Sequence, residues 1–278
     1  MIKSLDKFII KSLELRRKQH LKNLKILDCR WYLGNKKKGV NEFYKFHIEG
    51  ASFFDINRIS DKTSKLPHML PSKEQFAFYI NELNIKQNDN IVIYDQCGYF
   101  STTRVWFMFI LFGFNKVRIL DGGMKDWMKK KFPVTKKIIS LKNSFSVRLI
   151  KKNNMIIKKK ILKEAIQKSH DNIHIIDARP SKRFLGIDKE PRPGLKKGNI
   201  KSSINIPFDS ILKNNNYLLK VNDLKNLIRK KKITKSKEII CYCGSGVTAC
   251  NIIFVLKIMG FNKVKLYDGS WAEWGKIN

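Results

Sequence analysis

Residues 260–274 read GFNKVKLYDGSWAEW, and residues 113–127 carry a similar stretch, GFNKVRILDGGMKDW. Fainter similarity continues upstream, where residues 26–30 (ILDCR) resemble residues 175–179 (IIDAR). Self-similarity of this kind indicates that one structural unit is repeated along the chain. The 278 residues also suffice for two domains of ordinary size. The sequence therefore predicts two copies of one domain.

The boundary between the copies is predicted where the apolar pattern fades. Around residues 141–155 the chain is rich in lysine and polar residues and has little apolar periodicity. Such composition is typical of a connecting segment. We therefore assign residues 1–140 to an N-terminal domain, 141–155 to a linker and 156–278 to a C-terminal domain.

Each copy alternates short apolar runs with helical stretches. The short runs are β-branched and bounded by polar residues, which is typical of buried strands in a parallel sheet. Each apolar helix ends at a glycine, and the next strand completes a right-handed βαβ unit. Strands are predicted at 91–94, 116–120, 173–177, 238–242 and 263–267, and helices at 103–112 and 247–259. The predicted fold class is α/β, with two tandem domains that each contain a mainly parallel sheet flanked by helices.

The net charge of +34 is the unusual feature of the composition. A charge this large first suggests nucleic acid or an anionic membrane as a partner. The lysine clusters are scattered along the chain, however, and no aromatic and basic reading motif accompanies them. We therefore interpret the charge as a solvated surface and expect no nucleic-acid partner. The longest apolar run, residues 105–114, is too short for the roughly 20 residues of a membrane span, so no membrane association is predicted.

The N-terminal residues 1–27 place apolar side chains among lysines, a pattern that predicts an amphipathic helix. The segment has neither the apolar core nor the small-residue cleavage site of a signal peptide. An organelle-targeting peptide remains the alternative. With five cysteines, too few for a disulfide scaffold, the expected compartment is the reducing cytoplasm.

The loop Cys243-Gly244-Ser245-Gly246-Val247-Thr248 joins a predicted strand to a predicted helix. Ligands of parallel α/β sheets bind at the carboxyl ends of the strands, and two glycines let backbone N–H groups turn toward one anion site. That environment favours a thiolate, so Cys243 is the predicted nucleophile. The alternative is a small buried hydrophobe, which is our interpretation of Cys29, Cys241 and Cys250. No second cysteine pair or paired histidines accompany the Cys-x-Cys spacing, so we expect no metal site.

The Cys243 loop, together with VKLYDGSWAEW at residues 264–274, resembles the rhodanese superfamily of sulfurtransferases. Phe43, His47, Ile48, Gly50 and Ala51 resemble the N-terminal signature of that superfamily, although Glu49 replaces its usual proline. The resemblance implies two tandem rhodanese-like domains of which the second is catalytic. In the first copy, residues 95–100 (DQCGYF) lack the Gly-Ser-Gly of the active loop, which predicts a non-catalytic domain; Cys97 leaves a catalytic role there open.

Within the superfamily, the loop CGSGVTA is similar to that of the 3-mercaptopyruvate sulfurtransferases, whereas thiosulfate-using members carry basic residues directly after the cysteine. The resemblance implies that Arg183 and Arg192 bind the substrate, a role that suits guanidinium groups facing a carboxylate. It further implies that Ser245 helps to move a proton and that His68 lies in the cleft between the domains, where it takes part in substrate binding. Mammalian members have an acidic residue at the position of Asn57, where it is assigned to a Cys-Ser-Asp triad. Asn57 cannot supply that carboxylate, so we do not assign the third role of the triad.

The expected activity is transfer of sulfane sulfur from 3-mercaptopyruvate to a thiol acceptor such as thioredoxin, or to cyanide, through a persulfide on Cys243 with release of pyruvate. No metal or organic cofactor is expected. The alternatives are a thiosulfate sulfurtransferase and a non-catalytic binding module of the same fold. Phosphatase chemistry is disfavoured because Ala249 stands where a phosphate-binding arginine would be needed.

Overall fold

The computed structural model describes residues 4–138, 147, 149–168, 172–214 and 216–277. The predicted linker at 141–155 lies partly outside these residues, and the domain boundaries remain a prediction. The first half of the chain contains β1 (Ile9–Ile10), α1 (Ser12–Lys18), β2 (Leu24–Asp28), α2 (Lys38–Lys45), β3 (His47–Ile48), β4 (Ala51–Phe53), α3 (Ile56–Ile59), α4 (Lys73–Glu82), β5 (Asn90–Tyr94), α5 (Thr102–Leu111), β6 (Val117–Leu120), α6 (Gly123–Lys129) and β7 (Val134–Thr135).

The second half repeats this order. It contains β8 (Ile156–Ile157), α7 (Lys159–Lys168), β9 (Ile173–Asp177), α8 (Ser181–Phe184), β10 (Ser203–Asn205), β11 (Leu212–Lys213), β12 (Tyr217–Leu218), α9 (Val221–Lys230), β13 (Glu238–Tyr242), α10 (Ala249–Ile258), β14 (Val264–Tyr267) and α11 (Ser270–Trp274). Short 3-10 turns lie at Leu5–Lys7, Asn153–Met155 and Phe208–Ile211.

Two five-stranded sheets form the centres of the two halves. The first has the strand order β1-β6-β5-β2-β4, and the second has the matching order β8-β14-β13-β9-β10. All strand pairs within both sheets are parallel. The predicted strands and helices are present with ends shifted by one or two residues at most. The α/β class with two tandem, mainly parallel domains is therefore confirmed.

The N-terminal prediction is wrong in part. Helix α1 covers Ser12–Lys18, but Ile9–Ile10 form the edge strand β1, which pairs with β6 so that Ile9 lies opposite Ile119. A β-branched pair fits the pleated edge of a sheet better than a helix surface. Both isoleucines are buried there, which a helix on the protein surface would not achieve.

Helices α5 and α10 join the two halves. Both are buried on almost all sides, which explains why their sequences lack a polar face. Trp106 of α5 and Phe254 of α10 make an edge-to-face contact with ring centroids 5.0 Å apart, and Phe8 packs on both rings. This apolar interface brings the N-terminal ends of α5 and α10, and the loops before them, close together. In the part of the chain that the structure describes, no helix is long and apolar enough to cross a membrane.

Candidate active site

The Cys243 loop follows β13 and is anchored by the residues after β14. The N–H of Cys243 donates to Ser270 Oγ at 3.2 Å. The carbonyls of Cys243 and Gly244 accept from the N–H groups of Trp271 and Ala272, both at 2.9 Å. These contacts give a structural reason for the Asp-Gly-Ser-Trp-Ala stretch of the sequence. Cys243 is almost completely buried, with 2% of its surface exposed.

Arg183 and Arg192 meet at this loop. A Cβ atom built on Gly244 would lie 3.1 Å from Arg183 Nη2 and 3.8 Å from Arg192 Nη1. A side chain at position 244 would therefore require Arg183 Nη2 to shift by a few tenths of an ångström, whereas its contact with Arg192 would be an ordinary one. Burial lowers the pKa of Arg192, an effect that the charge of Cys243 opposes, so the cysteine and the arginine are close enough to interact. Two positively charged groups therefore lie next to Cys243, an arrangement that can attract an anion.

Glu190 holds one of these arginines in place, and sequence reasoning missed it. Its carboxylate accepts from Nε of Arg183 at 3.2 Å and also pairs with Arg183 Nη2. The oxygen that accepts from Arg183 Nε, Oε1, also lies 2.8 Å from Arg179 Nη1, and Arg179 is itself paired with Asp177 at the end of β9. Such charge-assisted pairs fix the orientation of a flexible arginine. The sequence did contain a signal for Glu190, because this acidic residue lies only two positions before Arg192 in the stretch Glu-Pro-Arg.

Ser245 connects the loop to the first domain. Its hydroxyl oxygen lies 3.4 Å from His68 Nδ1 and accepts from Arg192 Nη2 at 3.4 Å. The His68 ring packs edge-to-face on Trp31 with ring centroids 5.1 Å apart. Burial, together with the positive charges of Arg192 and Arg104, lowers the pKa of His68 to about 4. His68 is therefore uncharged near neutral pH.

A cleft of about 670 Å³ opens between the domains beside these residues. Trp31, Asn57, Lys62 and His68 line it from the first domain, and Arg192 lines it from the second. The amide oxygen of Asn57 accepts from Trp31 Nε1 at 3.0 Å. The nearby Asp55 accepts from the N–H of Asn57 and begins α3, so this carboxylate is occupied as a helix cap.

The remaining loop residues complete the turn. Gly246 has a φ of +77°, and Val247 is buried in the core. Thr248 immediately precedes α10. Among the residues that the structure describes, no group of three or more His, Cys, Asp or Glu side chains could hold a metal ion. The sequence-based site residues are thus gathered at one place, while their individual roles remain predictions.

The Rhodanese-like domain family matches this chain twice, at residues 12–130 and at residues 159–277. The chain belongs to the rhodanese family. The 3-mercaptopyruvate sulfurtransferase of Mus musculus is 38% identical over 264 residues, which cover 90% of this chain and 84% of that protein. The thiosulfate sulfurtransferase of Gallus gallus is 34% identical over 258 residues, covering 90% and 86%.

A solved structure gives the same result. The crystal structure of SseA from Escherichia coli, described as a 3-mercaptopyruvate sulfotransferase, aligns with a TM-score of 0.84 at 31% identity. The alignment covers 95% of this chain and 99% of that chain. The solved structure therefore shares both domains of this rhodanese.

In the first rhodanese domain, Asp95 stands at the position of Cys243. Its carbonyl accepts from Met124 N–H, as the carbonyl of Cys243 accepts from Trp271 N–H. The Asp95 carboxylate accepts hydrogen bonds from the N–H groups of Cys97, Gly98 and Ser101. The loop of the first domain is thus an anion site filled by its own side chain. The constant spacing of the repeat does not align Asp95 with Cys243, because the loop of the first domain is one residue longer than that of the second.

Cys97 does not replace the missing nucleophile. Burial and the nearby Asp95 carboxylate raise the pKa of the Cys97 thiol to about 12. Burial likewise raises the pKa of Cys250 to about 12 and that of Cys29 and Cys241 well above the ordinary value. These four thiols are protonated near neutral pH, which leaves Cys243 as the cysteine beside the paired arginines.

Proposed function

We propose that this rhodanese transfers sulfane sulfur from 3-mercaptopyruvate to a thiol through a persulfide on Cys243, with release of pyruvate. The observation that carries the proposal is the meeting of Arg183 and Arg192 at Gly244, directly after Cys243. A planar guanidinium presents paired donors that match a carboxylate. The donor carries a carboxylate and a sulfur in one small molecule, as this pairing of arginines and cysteine requires. The named mouse relative supports the same donor.

The first half of the reaction is a nucleophilic substitution at sulfur. With the carboxylate and keto oxygen held by Arg183 and Arg192, the Cys243 thiolate attacks the sulfur of the donor. The new S–S bond forms as the C–S bond breaks, and the electron pair of that bond goes to carbon, giving the enolate of pyruvate. The guanidinium groups lower the barrier because they stabilise the negative charge that moves onto the keto oxygen.

Ser245 and His68 can move the proton that this step requires. The enolate needs a proton to become pyruvate, and the donor thiol supplies one as its sulfur becomes a persulfide. The Ser245 hydroxyl lies next to Arg192, and His68 Nδ1 lies 3.4 Å from that hydroxyl. A neutral imidazole can accept a hydrogen bond from the hydroxyl and keep it oriented. The low pKa of His68 keeps the ring in that form through the physiological range.

The second half returns the enzyme to its starting state. An acceptor thiolate attacks the outer sulfur of the Cys243 persulfide, and the Cys243 thiolate leaves. The cleft of about 670 Å³ beside the loop is much larger than a three-carbon acid requires, so it can admit a larger acceptor. We propose a small protein thiol such as thioredoxin, or cyanide in an assay. Every step uses the side chains of this chain and the two substrates.

A thiosulfate sulfurtransferase is the second candidate. The chicken relative with that name is 34% identical over most of both chains, so the family match alone does not separate the two donors. The loop favours 3-mercaptopyruvate because Gly244 and Ser245, which directly follow Cys243, carry no positive charge for a second anionic group of the donor. Arg183 and Arg192 come instead from α8 and from the loop after it.

The proposal also includes a cytoplasmic location and no partnership with nucleic acid or membrane. All five cysteines are free, and persulfide chemistry at Cys243 requires a reduced thiol. The net charge of +34 is spread along the chain in short lysine clusters. Retention on DNA that falls steeply with salt would contradict the interpretation of that charge as a solvated surface.

The experiment supplies 3-mercaptopyruvate and thiosulfate separately to the purified protein, adds cyanide and measures thiocyanate. Pyruvate is measured in parallel for the first donor. We expect a larger kcat/KM for 3-mercaptopyruvate, equal amounts of pyruvate and thiocyanate, and loss of both products in Cys243→Ser. Preference for thiosulfate would favour the second candidate. Failure of both donors, with wild type no better than Cys243→Ser, would leave a binding role as the better account.

A further inference from the structure

Arg104 is a buried arginine of the first domain that reaches into the catalytic domain. It lies in α5, in an otherwise apolar part of the sequence, and only 1% of its surface is exposed. Its Nη1 lies 2.8 Å from Asp268 Oδ1 and donates to the carbonyl of Gly246 at 3.2 Å. Its Nη2 donates to the carbonyl of His68 at 2.5 Å. One side chain therefore contacts the Cys243 loop, the residue after β14 and the His68 segment.

Asp268 extends these contacts. It follows β14 directly, two residues before Ser270, whose hydroxyl accepts from the N–H of Cys243. Its second oxygen, Oδ2, accepts from the N–H of Leu70 at 2.8 Å, two residues after His68. The Arg104–Asp268 pair thus ties Gly246 of the Cys243 loop, and the turn that follows β14, to the first domain. A buried ion pair is costly to form, and this one is accompanied by hydrogen bonds from Arg104 to two backbone carbonyls and from the N–H of Leu70 to Asp268 Oδ2.

The repeated half of the protein supplies an internal comparison. Asp121 follows β6 as Asp268 follows β14, and its carboxylate accepts from the N–H of Leu218 across the domain interface at 3.0 Å. The third residue of α10, the position of Arg104 in α5, is Asn251. Asn251 is hydrogen-bonded to Thr103 and carries no charge. Asp121 and Asp268 therefore make equivalent contacts with the opposite domain. The buried arginine accompanies Asp268, which lies beside the Cys243 loop.

We propose that Arg104 is a positioning residue for sulfur transfer, which holds Gly246 and His68 in the arrangement that Cys243 and Ser245 need. This proposal rests on the proposed function. It makes the first domain part of the active site, although its own loop is filled by Asp95. A displacement of about 1 Å of reacting groups can reduce a rate about 100-fold, so a residue that fixes two of them affects kcat without touching the substrate.

The test compares Arg104→Lys with Asp121→Asn. Lysine keeps a positive charge for Asp268, but a single ammonium cannot reach both carbonyls with fixed geometry. We expect kcat for 3-mercaptopyruvate to fall about 10-fold or more in Arg104→Lys, with KM changed less than about threefold, because Arg183 and Arg192 remain in place. In Asp121→Asn, which weakens the corresponding contact on the other side, kcat should stay within about twofold of wild type.

A second measurement separates this proposal from the choice of substrate. The rate at which iodoacetamide alkylates Cys243 is followed by mass spectrometry of its peptide, with a cysteine-free peptide of the same protein as the internal standard for peptide amount. We expect slower alkylation of Cys243 in Arg104→Lys and an unchanged rate in Asp121→Asn. If wild type turns over neither sulfur donor, the proposed function fails, and the alkylation rates still test the role of Arg104.

Two results would overturn the inference. One is wild-type kcat and wild-type alkylation in Arg104→Lys. The other is an equal loss of kcat in Arg104→Lys and Asp121→Asn accompanied by equal falls in melting temperature, which would show that Arg104 acts only as an interdomain contact. Both comparisons are made at a temperature where every variant is fully folded, so a loss of stability alone does not count as a loss of kcat.

Discussion

His68 is expected to stay uncharged down to about pH 4, well below the range in which an ordinary histidine gains its proton. Burial in the cleft disfavours the imidazolium because it removes water from the charged ring. The positive charges of Arg192 and Arg104 disfavour it further, so the pKa of His68 falls from 6.5 to about 4. The same ring contacts the Ser245 hydroxyl, and protonation would force a second positive charge beside Arg192.

Because the pKa of His68 is lowered in the folded protein, we expect the free energy of unfolding to decrease in acid. In the unfolded chain His68 regains its ordinary pKa, so between about pH 6.5 and pH 4 the unfolded state binds a proton that the folded state does not. Stability therefore falls as the pH falls through 6.5, and the loss is complete below about pH 4. A pKa difference of about 2.5, at about 1.4 kcal/mol for each unit, gives about 3 kcal/mol in total, of which about 2 kcal/mol is lost by pH 5.

The assay compares wild type with His68→Gln. The free energy of unfolding in urea is measured at about pH 7.5 and at about pH 5, and wild type should lose about 2 kcal/mol more than the variant. Groups far from His68 titrate alike in both proteins, so their contributions cancel. A ring-proton NMR titration, with the signal assigned by its absence in the variant, should have its midpoint near pH 4. A midpoint near 6.5, or the same acid sensitivity in both proteins, would refute the reasoning.

Three further changes test single contacts. Gly246→Ala should lower the free energy of unfolding by at least about 1 kcal/mol more than Gly194→Ala. Both glycines have a positive φ, but only a Cβ at position 246 would meet a carboxylate oxygen, Asp268 Oδ1, at 2.8 Å. Equal losses for the two variants in urea unfolding would contradict this. Asp95→Asn should lower the free energy of unfolding in urea by about 1–3 kcal/mol, because an amide NH₂ would face backbone N–H donors. The kcat of this variant should stay near that of wild type. Glu190→Gln should raise KM for 3-mercaptopyruvate about fivefold by releasing Arg183, and steady-state kinetics with an unchanged KM would remove that role.

The regular part of the fold was predictable because its signals are local. The strand Glu238–Tyr242 and the helix Ala249–Ile258 are each specified by a short apolar run with a glycine or polar residues at its ends. The edge strand Ile9–Ile10 was missed because its identity depends on a parallel partner, β6, that lies far along the chain. A strand of two residues has too little periodicity of its own to be distinguished from the helix beside it.

The site was predictable to the extent that its residues lie in recognisable motifs. Cys243, Ser245, Arg183 and Arg192 were found in this way, and the structure brings them together with His68. Residues that support the site, such as Arg104, were not predicted, because the contact between Arg104 and Asp268 joins distant parts of the sequence. A signal for Arg104 did exist, because a charged residue inside an apolar helix that is buried on all sides needs a partner.

The two loops place different side chains, a carboxylate and a thiol, at the same position of the repeated fold. Asp95 and Cys243 each follow the middle strand of a sheet, and their carbonyls accept from the backbone at equivalent points. In the first domain three N–H groups of the loop point at the Asp95 carboxylate, so the backbone at this position demonstrably accommodates an anion. A fixed carboxylate is a permanent anion that cannot accept sulfur, whereas a thiolate can take up and release it. The first domain therefore contributes His68 to the cleft and Arg104 to the contacts behind the Cys243 loop, while the Asp95 carboxylate holds the loop of the first domain.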